Sequence, residues 1–308
     1  MSETQLYQAF FQTMERTSLI LKESKRPIPA KTNPKNPLSQ AHSKIGGNPC
    51  LPAEFEWPRY STPATEHDSE VDNAPLTFVA QIDCGEVYEA LGDETLLPHS
   101  GMLWFFYEMS DQRWGFDPAD EGCARVIYAD IPFNQLIPTL PPEDLEEEYR
   151  FQPYALTFEK ETSLPDYEEA CDYPNFPEDG DDWTPDDWDA YDEAKAEYQG
   201  VEYDEDEDYS MVNRLFGYAN LIQGSMLKEC ELTSTGTYTG RKWPEMTEEE
   251  QKALQKRSAE WQLLLQVASS ESDDNRLFGD CGNLYFYIRK EDLAACRFDK
   301  VWLVLQCG

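Results

Sequence analysis

The chain has 308 residues, of which 40% are apolar and 13% aromatic, a composition that can fill a hydrophobic core and excludes an intrinsically disordered chain. Its 61 acidic residues outnumber its 25 basic residues. The resulting formal charge of -36 argues against nucleic acid and anionic membranes as partners and favours a basic protein.

The sequence also carries signals for cellular location. Residues 2–5 do not resemble the start of a signal peptide, and no apolar run is long enough to span a membrane. The eight cysteines form no Cys-x-x-Cys pair and no compact framework, which is typical of reduced, mostly buried thiols. We therefore expect a cytoplasmic protein, monomeric and without a cofactor.

Residues 1–40 are predicted to form an N-terminal helix and a proline-rich lead-in. Apolar residues at roughly helical spacing predict an amphipathic helix within residues 3–23, which ends before Pro27. These apolar residues are Leu6, Phe10, Met14 and Leu21. We expect the helix to dock on the core, with a calmodulin-like or membrane-surface helix as the alternative. Nine prolines between residues 27 and 75 predict loops and short extended segments.

Residues 41–142 are predicted to form a first strand-rich repeat. Its first segment, Ser43–Gly47, carries two glycines but lacks the strand and the Gly-Lys-Ser/Thr of a phosphate-binding loop, so a tight turn is favoured. Three apolar runs of strand length follow, as buried antiparallel strands require. They are Leu76–Asp83, Gly101–Tyr107 and Ala124–Tyr128.

The same order of segments returns in residues 210–308, the second repeat. Its four segments are Asn213–Gly217, Trp261–Val267, Gly282–Ile288 and Val301–Gln306. We infer an internal duplication in which Gln266 takes the place of Gln81. A buried amide without partners costs free energy, so both glutamines are expected to bond backbone or each other, with ligand contact as the alternative. Composition does not choose between one shared sheet and two sandwiched halves.

An acidic insert, residues 143–209, separates the two repeats. Residues 166–208 hold 20 of the acidic residues and a single lysine. A capping threonine, a proline and aromatic residues spaced three or four apart predict a helix over residues 185–199. The run Asp204–Asp208 is predicted to be a solvated loop.

A further helix is predicted inside the second repeat. Thr247 and the glutamates after it are a typical helix start, and the helix should reach toward Glu260 with Leu254 on its inner side.

Short motifs along the chain occur in the order found in a known family. The motifs are Lys44–Pro49, Leu51–Pro52, Trp57–Pro58, Phe78–Asp83, Leu97–Pro98, Gly101–Leu103, Leu164–Tyr167, Leu215–Tyr218, Ile222–Gln223, Leu264–Gln266, Gly279–Gly282 and Leu305–Gln306. On these residues the chain resembles the YwqG-like family of bacterial proteins, a domain family of unknown function, over nearly all of the chain after residue 40.

The resemblance implies an α+β, duplicated, cytoplasmic domain with no assigned catalytic residue. It also implies a distant similarity to programmed-cell-death-2-type proteins, which are proposed to chaperone a basic ribosomal protein. Bacterial members of the family are connected with immunity-type neutralisation of toxins. The resemblance therefore favours a protein-binding role.

The three histidines do not indicate a catalytic or zinc site. His42, His67 and His99 lie in proline-rich loops, and none stands at metal-ligand spacing from another histidine. His42 with Cys50, or His99 with Ser100, could act as base and nucleophile, but neither pair lies in a nucleophile elbow. We therefore predict no catalytic residue and no metal site.

Calcium is the ion that the acidic segments could attract. Residues 179–182 and Asp204–Asp208 offer hard oxygen ligands, but neither segment follows the EF-hand pattern of glycine and glutamate. We expect loose condensation of cations there.

The sequence as a whole predicts an α+β fold of two strand-rich pseudo-repeats, with a mainly antiparallel sheet, peripheral helices and an N-terminal helix, packed as one compact unit. Charge, duplication and the lack of catalytic groups predict a chaperone- or immunity-like module that binds a basic polypeptide. The candidate contact or cleft residues are Gln81, Asp83, Gln266, Asp280, Asp204 and Asp206. The alternative is an enzyme or small-molecule binder that uses Asp83, Asp280 or Gln266 in a cleft between the repeats, although a structural turn role would also explain the two aspartates.

Overall fold

The computed structural model describes residues 3–29, 42–65, 68–177, 185–201, 211–237, 246–270 and 276–308. Its α-helices are α1 Glu3–Met14, α2 Cys84–Leu91, α3 Tyr167–Cys171, α4 Pro185–Gln199, α5 Leu227–Ser234, α6 Glu248–Ser258 and α7 Lys290–Ala294. None of these helices has the length and apolarity needed to cross a membrane.

The strands are mostly short in the first third of the chain and longer after it. They are β1 Arg16–Glu23, β2 Lys44–Ile45, β3 Cys50–Leu51, β4 Arg59–Thr62, β5 Val71–Pro75, β6 Thr77–Asp83, β7 Met102–Tyr107, β8 Ala124–Ala129, β9 Ile137–Pro138, β10 Tyr154–Ser163, β11 Arg214–Phe216, β12 Trp261–Ala268, β13 Asn283–Arg289 and β14 Trp302–Gln306. The six apolar runs of the sequence are thus confirmed as β6, β7, β8, β12, β13 and β14.

Ten of the strands form one antiparallel sheet. Their order is β14-β13-β12-β11-β1-β10-β2-β6-β7-β8, and each neighbouring pair is antiparallel. β1 and β10 lie in the middle, with four strands of the C-terminal half on one side and four strands of the N-terminal half on the other. The two halves therefore share one sheet, and the predicted α+β class with a mainly antiparallel sheet is confirmed.

The N-terminal segment corrects one prediction. The predicted helix over residues 3–23 is wrong beyond Met14, because Arg16–Glu23 is strand β1. Leu21 continues the helical spacing of the apolar residues, but β1 pairs with β10 along its whole length and with β11 on its other side. These ladder hydrogen bonds satisfy the backbone of β1, and Thr17 and Ile20 are β-branched residues that favour a strand.

The acidic segment between the halves contributes directly to the sheet. Residues 154–163 form β10, which pairs with β1 on one side and with β2 on the other. Much of β10 is exposed, and its sequence carries charges rather than a continuous apolar run. The helices predicted in and after this segment are confirmed, since α4 spans Pro185–Gln199 and α6 follows a capping box at Thr247.

The sheet curls so that its two ends approach each other. The segment between β7 and β8 reaches β14, where Leu305 N donates to Trp114 O at 3.0 Å and Trp302 Nε1 donates to Gly115 O at 2.8 Å. In the core, the rings of Phe105 on β7 and Phe286 on β13 lie 5.2 Å apart. The two halves are therefore joined through the sheet, across its edge and through one hydrophobic core.

A second hydrophobic cluster lies on the outer face of the C-terminal half. Side chains of α1, α3, α4 and α5 pack there against β12, β13 and β14. Phe11 of α1, Tyr191 of α4 and Tyr287 of β13 are fully buried in this cluster. The expected docking of the N-terminal helix on the core is confirmed, and α4 is an integral part of the fold.

Candidate functional site

Gln81 lies in the buried strand β6 and holds the loop that surrounds β2. Its side chain is fully buried. Its Oε1 accepts from Cys50 N at 2.8 Å, and its Nε2 donates to His42 O at 2.6 Å. The amide is therefore satisfied by backbone groups on both sides of the turn and is not presented to solvent.

Gln266 makes the corresponding bonds in the C-terminal half. Its Oε1 accepts from Asn220 N at 2.9 Å, and its Nε2 donates to Val212 O at 2.8 Å. Gln266 is fully buried in β12, as Gln81 is in β6. Each glutamine thus clamps the loop on both sides of a short neighbouring strand, β2 or β11.

Further contacts match between the two clamps. Ser43 Oγ accepts from Asp83 N at 2.9 Å, and Asn213 Oδ1 accepts from Ala268 N at 2.9 Å. The ladders β6-β7 and β12-β13 both shift register shortly before the glutamine. These contacts support an internal duplication, which stays a prediction.

Three side chains with metal-ligating atoms meet at the N-terminal end of α2. His42 Nδ1 lies 2.7 Å from Asp83 Oδ2 and 3.7 Å from Glu86 Oε1, and one such atom from each residue lies within 4.8 Å of the others. All three side chains are partly exposed. We call His42, Asp83 and Glu86 the α2 cluster.

Backbone contacts orient each carboxylate of the α2 cluster. Asp83 Oδ1 accepts from Gly85 N at 2.8 Å and caps the helix, which leaves Oδ2 toward His42. Glu86 Oε2 accepts from Ser43 N at 3.1 Å, and its Oε1 also faces His42. One oxygen of each carboxylate is therefore held by a backbone N–H while the other points to a shared position.

The imidazole of His42 packs against the ring of Phe133, and Gln81 binds the main-chain carbonyl of His42. Its ring centroid lies 3.8 Å from that of Phe133.

Burial is the main cause that raises the pKa of Glu86 above its ordinary value, and the hydrogen bond from Ser43 acts in the opposite direction. This end of α2 can therefore attract a proton or a cation to a fixed set of nitrogen and oxygen atoms.

The matching place in the C-terminal half differs at two of the three positions. The residue at the place of Glu86 is Glu271, which lies outside the described residues. Val212 takes the place of His42 beside its clamp, and Ala268 takes the place of Asp83. The clamp around Gln266 thus forms with two apolar residues, so His42 and Asp83 are not needed to build it.

Sequence analysis missed the α2 cluster because His42 is far from Asp83 and Glu86 in the chain. Pairing of β2 with β6 places Lys44 opposite Gln81 and so brings His42 to the end of β6. The available signal was Asp83-x-x-Glu86 at a helix start, which places two carboxylates on one turn. That signal was weak in a chain with 61 acidic residues.

One other predicted contact residue, Asp280, does not join this cluster. Asp280 is exposed in the turn before β13. Asp204 and Asp206 lie outside the described residues, as do His67 and residues 179–182.

The exposed face of α4 carries three carboxylates spaced four residues apart. Asp189, Glu193 and Glu197 are exposed, while Tyr191 on another face is buried. The one lysine of α4, Lys195, binds Asp166 instead, with 2.7 Å between Nζ and Oδ1. We call the three carboxylates the α4 acidic stripe.

Like charges four residues apart destabilise a helix by a few tenths of a kcal/mol per pair, about 0.2–0.5. The stripe therefore has no benefit for the helix itself. It offers a regular row of negative charge to a partner.

A family model described as "Domain of unknown function (DUF1963)" matches residues 43–307. The match contains both glutamine clamps, Asp83, Glu86 and the whole of α4, and it begins one residue after His42. No curated protein matches the chain.

Proposed function

We propose that this chain, which belongs to the family of domains of unknown function DUF1963, is an acidic binding module that captures a basic polypeptide on the α4 acidic stripe. The exposed row Asp189, Glu193 and Glu197 is the observation that carries the proposal. Its four-residue spacing suits a partner helix with Lys or Arg at every fourth position, because such side chains also lie on one face.

The balance of charge supports this role. Many basic side chains are already neutralised within the fold, as in the ion pairs of Arg59 with Asp144 and of Lys160 with Glu94. The surplus of acidic residues, which gives the chain its formal charge of -36, therefore remains available to partners. Such a field can raise association rates by about 10- to 1000-fold and weakens as salt rises.

The sequence resemblance adds to the same proposal. Similarity to the YwqG-like family, and more distantly to programmed-cell-death-2-type proteins, supports a chaperone- or immunity-like role toward a ribosomal protein or a toxin domain. We propose that the module acts as a cytoplasmic monomer built by internal duplication, with no nucleic acid or membrane as partner.

A role at the surface is better supported than catalysis between the halves. Gln266, one of the residues proposed for such a cleft, is fully buried and bonded to backbone. Aromatic side chains fill the space where the halves meet, since Phe105 contacts Phe286 and Phe151 contacts Phe278. These contacts favour a packed core there.

Deletion of the acidic segment would be a poor test of the proposal. Tyr191 of α4 is fully buried against Tyr7 and Phe11 of α1, so a chain without α4 would expose the second hydrophobic cluster. Neutralising the exposed face of α4 keeps these contacts and removes only charge.

The test compares two triple variants with the same change in net charge. One neutralises the stripe, Asp189→Asn with Glu193→Gln and Glu197→Gln. The other neutralises three exposed glutamates outside α4, Glu89→Gln with Glu143→Gln and Glu146→Gln. The probe is a synthetic helical peptide with lysine at every fourth position, and its association rate is measured by stopped-flow fluorescence at low and at high salt.

We expect the stripe variant to bind the peptide about tenfold more slowly at low salt, and the control variant to stay close to the parent. Equal effects of the two variants would show that only total charge matters and would overturn the role of α4. Association with the parent that does not change with salt would overturn the electrostatic proposal as a whole.

A further inference from the structure

The α2 cluster has the ligand types of a transition-metal site. His42 offers an imidazole nitrogen, and Asp83 and Glu86 each offer a carboxylate oxygen. Carboxylates alone would suit Ca²⁺ or Mg²⁺, whereas an imidazole favours a first-row ion such as Zn²⁺. The set therefore differs in kind from the loose acidic runs elsewhere in the chain.

The distances suit a shared ion. Two ligand atoms that each lie about 2.0–2.2 Å from zinc in tetrahedral geometry are about 3.3–3.6 Å apart. His42 Nδ1 and Glu86 Oε1 are 3.7 Å apart, which is close to this range. His42 Nδ1 and Asp83 Oδ2 are 2.7 Å apart. These two atoms would therefore have to separate by about 0.6–0.9 Å around a zinc ion.

The surroundings of the cluster hold its members in place. Gly85 N orients Asp83, Ser43 N orients Glu86, and the amide of Gln81 binds the carbonyl of His42. Partners of this kind around metal ligands fix side-chain direction and contribute to metal affinity. Gln81 is thus a positioning residue for the cluster.

The C-terminal half shows that the cluster is not a by-product of the clamp. Val212 and Ala268 stand at the places of His42 and Asp83, with the same backbone hydrogen bonds around them. A histidine lies in contact with a carboxylate at one clamp and two apolar residues lie at the other, so this contact is not required to build a clamp.

We infer that His42, Asp83 and Glu86 bind a divalent first-row transition-metal ion, with Zn²⁺ as the preferred ion, at the N-terminal end of α2. Three protein ligands leave further coordination positions for water or for a group of a bound partner, since all three side chains are partly exposed. The inference stands apart from the acidic stripe, which lies on another helix.

Two features of the site act against a bound cation. The N-terminal end of α2 carries partial positive charge, equivalent to about half an elementary charge, which the two carboxylates outweigh. The contact between His42 Nδ1 and Asp83 Oδ2 must also give way to metal coordination. A neutral imidazole binds a metal through its unprotonated nitrogen, so we expect zinc to bind Nδ1 with the proton carried on Nε2.

The test must separate this site from two other sources of zinc binding. Exposed carboxylates condense cations loosely, so titrations are made in excess Mg²⁺. Cys281 and Cys296 are exposed thiols, so both are changed to serine in the parent chain. Zinc affinity is then measured by isothermal titration calorimetry. The chain has three histidines, so nitrogen NMR of labelled histidine reports which imidazole binds.

The variants are chosen to fold. His42→Val copies the residue of the matching clamp, Asp83→Asn keeps a side chain that caps helices well, and Glu86→Gln keeps an oxygen for Ser43 N. The matched controls are His99→Gln and Glu89→Gln, both exposed residues outside the cluster. Thermal melting without zinc checks that each variant is folded.

We expect zinc to shift Nδ1 of one histidine in the parent, and each of the three variants to lose about tenfold or more in zinc affinity while both controls keep it. The inference is overturned if the parent binds no zinc in excess Mg²⁺. It is equally overturned if His42→Val binds zinc as the parent does.

Discussion

Glu169 is a carboxylate that the second hydrophobic cluster encloses. It is 1% exposed, and its Oε1 accepts from Tyr173 OH at 3.1 Å. Burial raises the pKa of Glu169 to about 7, although the nearby Arg16 guanidinium acts in the opposite direction. Arg16 itself lies 4.1 Å from the centroid of the Tyr218 ring. The folded state therefore favours the neutral form of this side chain at acidic pH.

This raised pKa predicts how stability changes with pH. In the unfolded chain Glu169 titrates near the ordinary glutamate value, so the folded state binds the extra proton between that value and about 7. The contribution of Glu169 is therefore most favourable below the unfolded pKa, and it is lost as pH rises through the folded pKa. The expected loss is on the order of 3 kcal/mol.

The measurement is the free energy of unfolding in urea at several pH values between about 5 and 8. We expect the free energy of unfolding of Glu169→Gln to rise relative to that of the parent as pH increases over this range. A difference that is constant with pH would contradict the raised pKa. Glu146→Gln, at an exposed position, serves as the control.

At the scale of elements, the two faces of α4 lie in different environments. Tyr191 packs at 5.2 Å from Tyr7, 5.1 Å from Phe11 and 5.3 Å from Tyr167, measured between ring centroids. Its hydroxyl donates to Pro165 O at 3.0 Å. One face of the acidic helix thus completes the core, and the opposite face is free for the proposed partner.

Truncation of the buried side chain Tyr191 on the inner face of α4 should lower the stability of the protein. We expect Tyr191→Ala to lower the free energy of unfolding by about 3–5 kcal/mol, because it removes a buried aromatic ring and leaves a cavity. Glu193→Ala on the exposed face should stay within about 0.5 kcal/mol of the parent. Urea unfolding followed by tryptophan fluorescence measures both variants. Equal small effects would mean that α4 does not contribute to the core.

At the scale of the whole molecule, the two ends of the sheet approach each other, and this contact joins the two halves across the sheet edge. Gly115 has φ +83 and lies so close to β14 that an added methyl carbon would overlap the carbonyl oxygen of Leu303. The hydrogen bond from Leu305 N to Trp114 O covers part of an edge that would otherwise expose unpaired backbone groups. The Trp302 side chain donates to Gly115 O beside it.

A pair of glycine variants isolates this contact. Gly115 and Gly200 both have positive φ, +83 and +70, but of the two only Gly115 has neighbours among the described residues within 4 Å of an added Cβ. We expect Gly115→Ala to cost about 1–3 kcal/mol more than Gly200→Ala, because both variants carry the backbone strain and only the first is overpacked. Chemical denaturation measures the difference. If the two variants lose the same stability, the close packing of Gly115 against β14 contributes nothing to the free energy of unfolding.

Local sequence determined the elements whose apolar residues are continuous or regularly spaced. Five buried strands, the partly exposed strand β8 and the helices α4 and α6 follow from apolar runs, aromatic spacing and helix caps, since these signals need only neighbouring residues. The buried amides of Gln81 and Gln266 also bond backbone, as expected of polar groups in apolar strands.

Tertiary structure decided the elements and sites whose members are distant in the chain. β1 and β10 are central strands with partly exposed, polar sequences, and their pairing with each other, with β11 and with β2 stabilises them as strands. The α2 cluster exists because the β2-β6 ladder carries His42 to Asp83. Composition by itself determined that the chain folds and is strongly acidic, whereas the faces on which its charges lie were set by packing, because burial of Tyr191 leaves Asp189 and Glu193 outward.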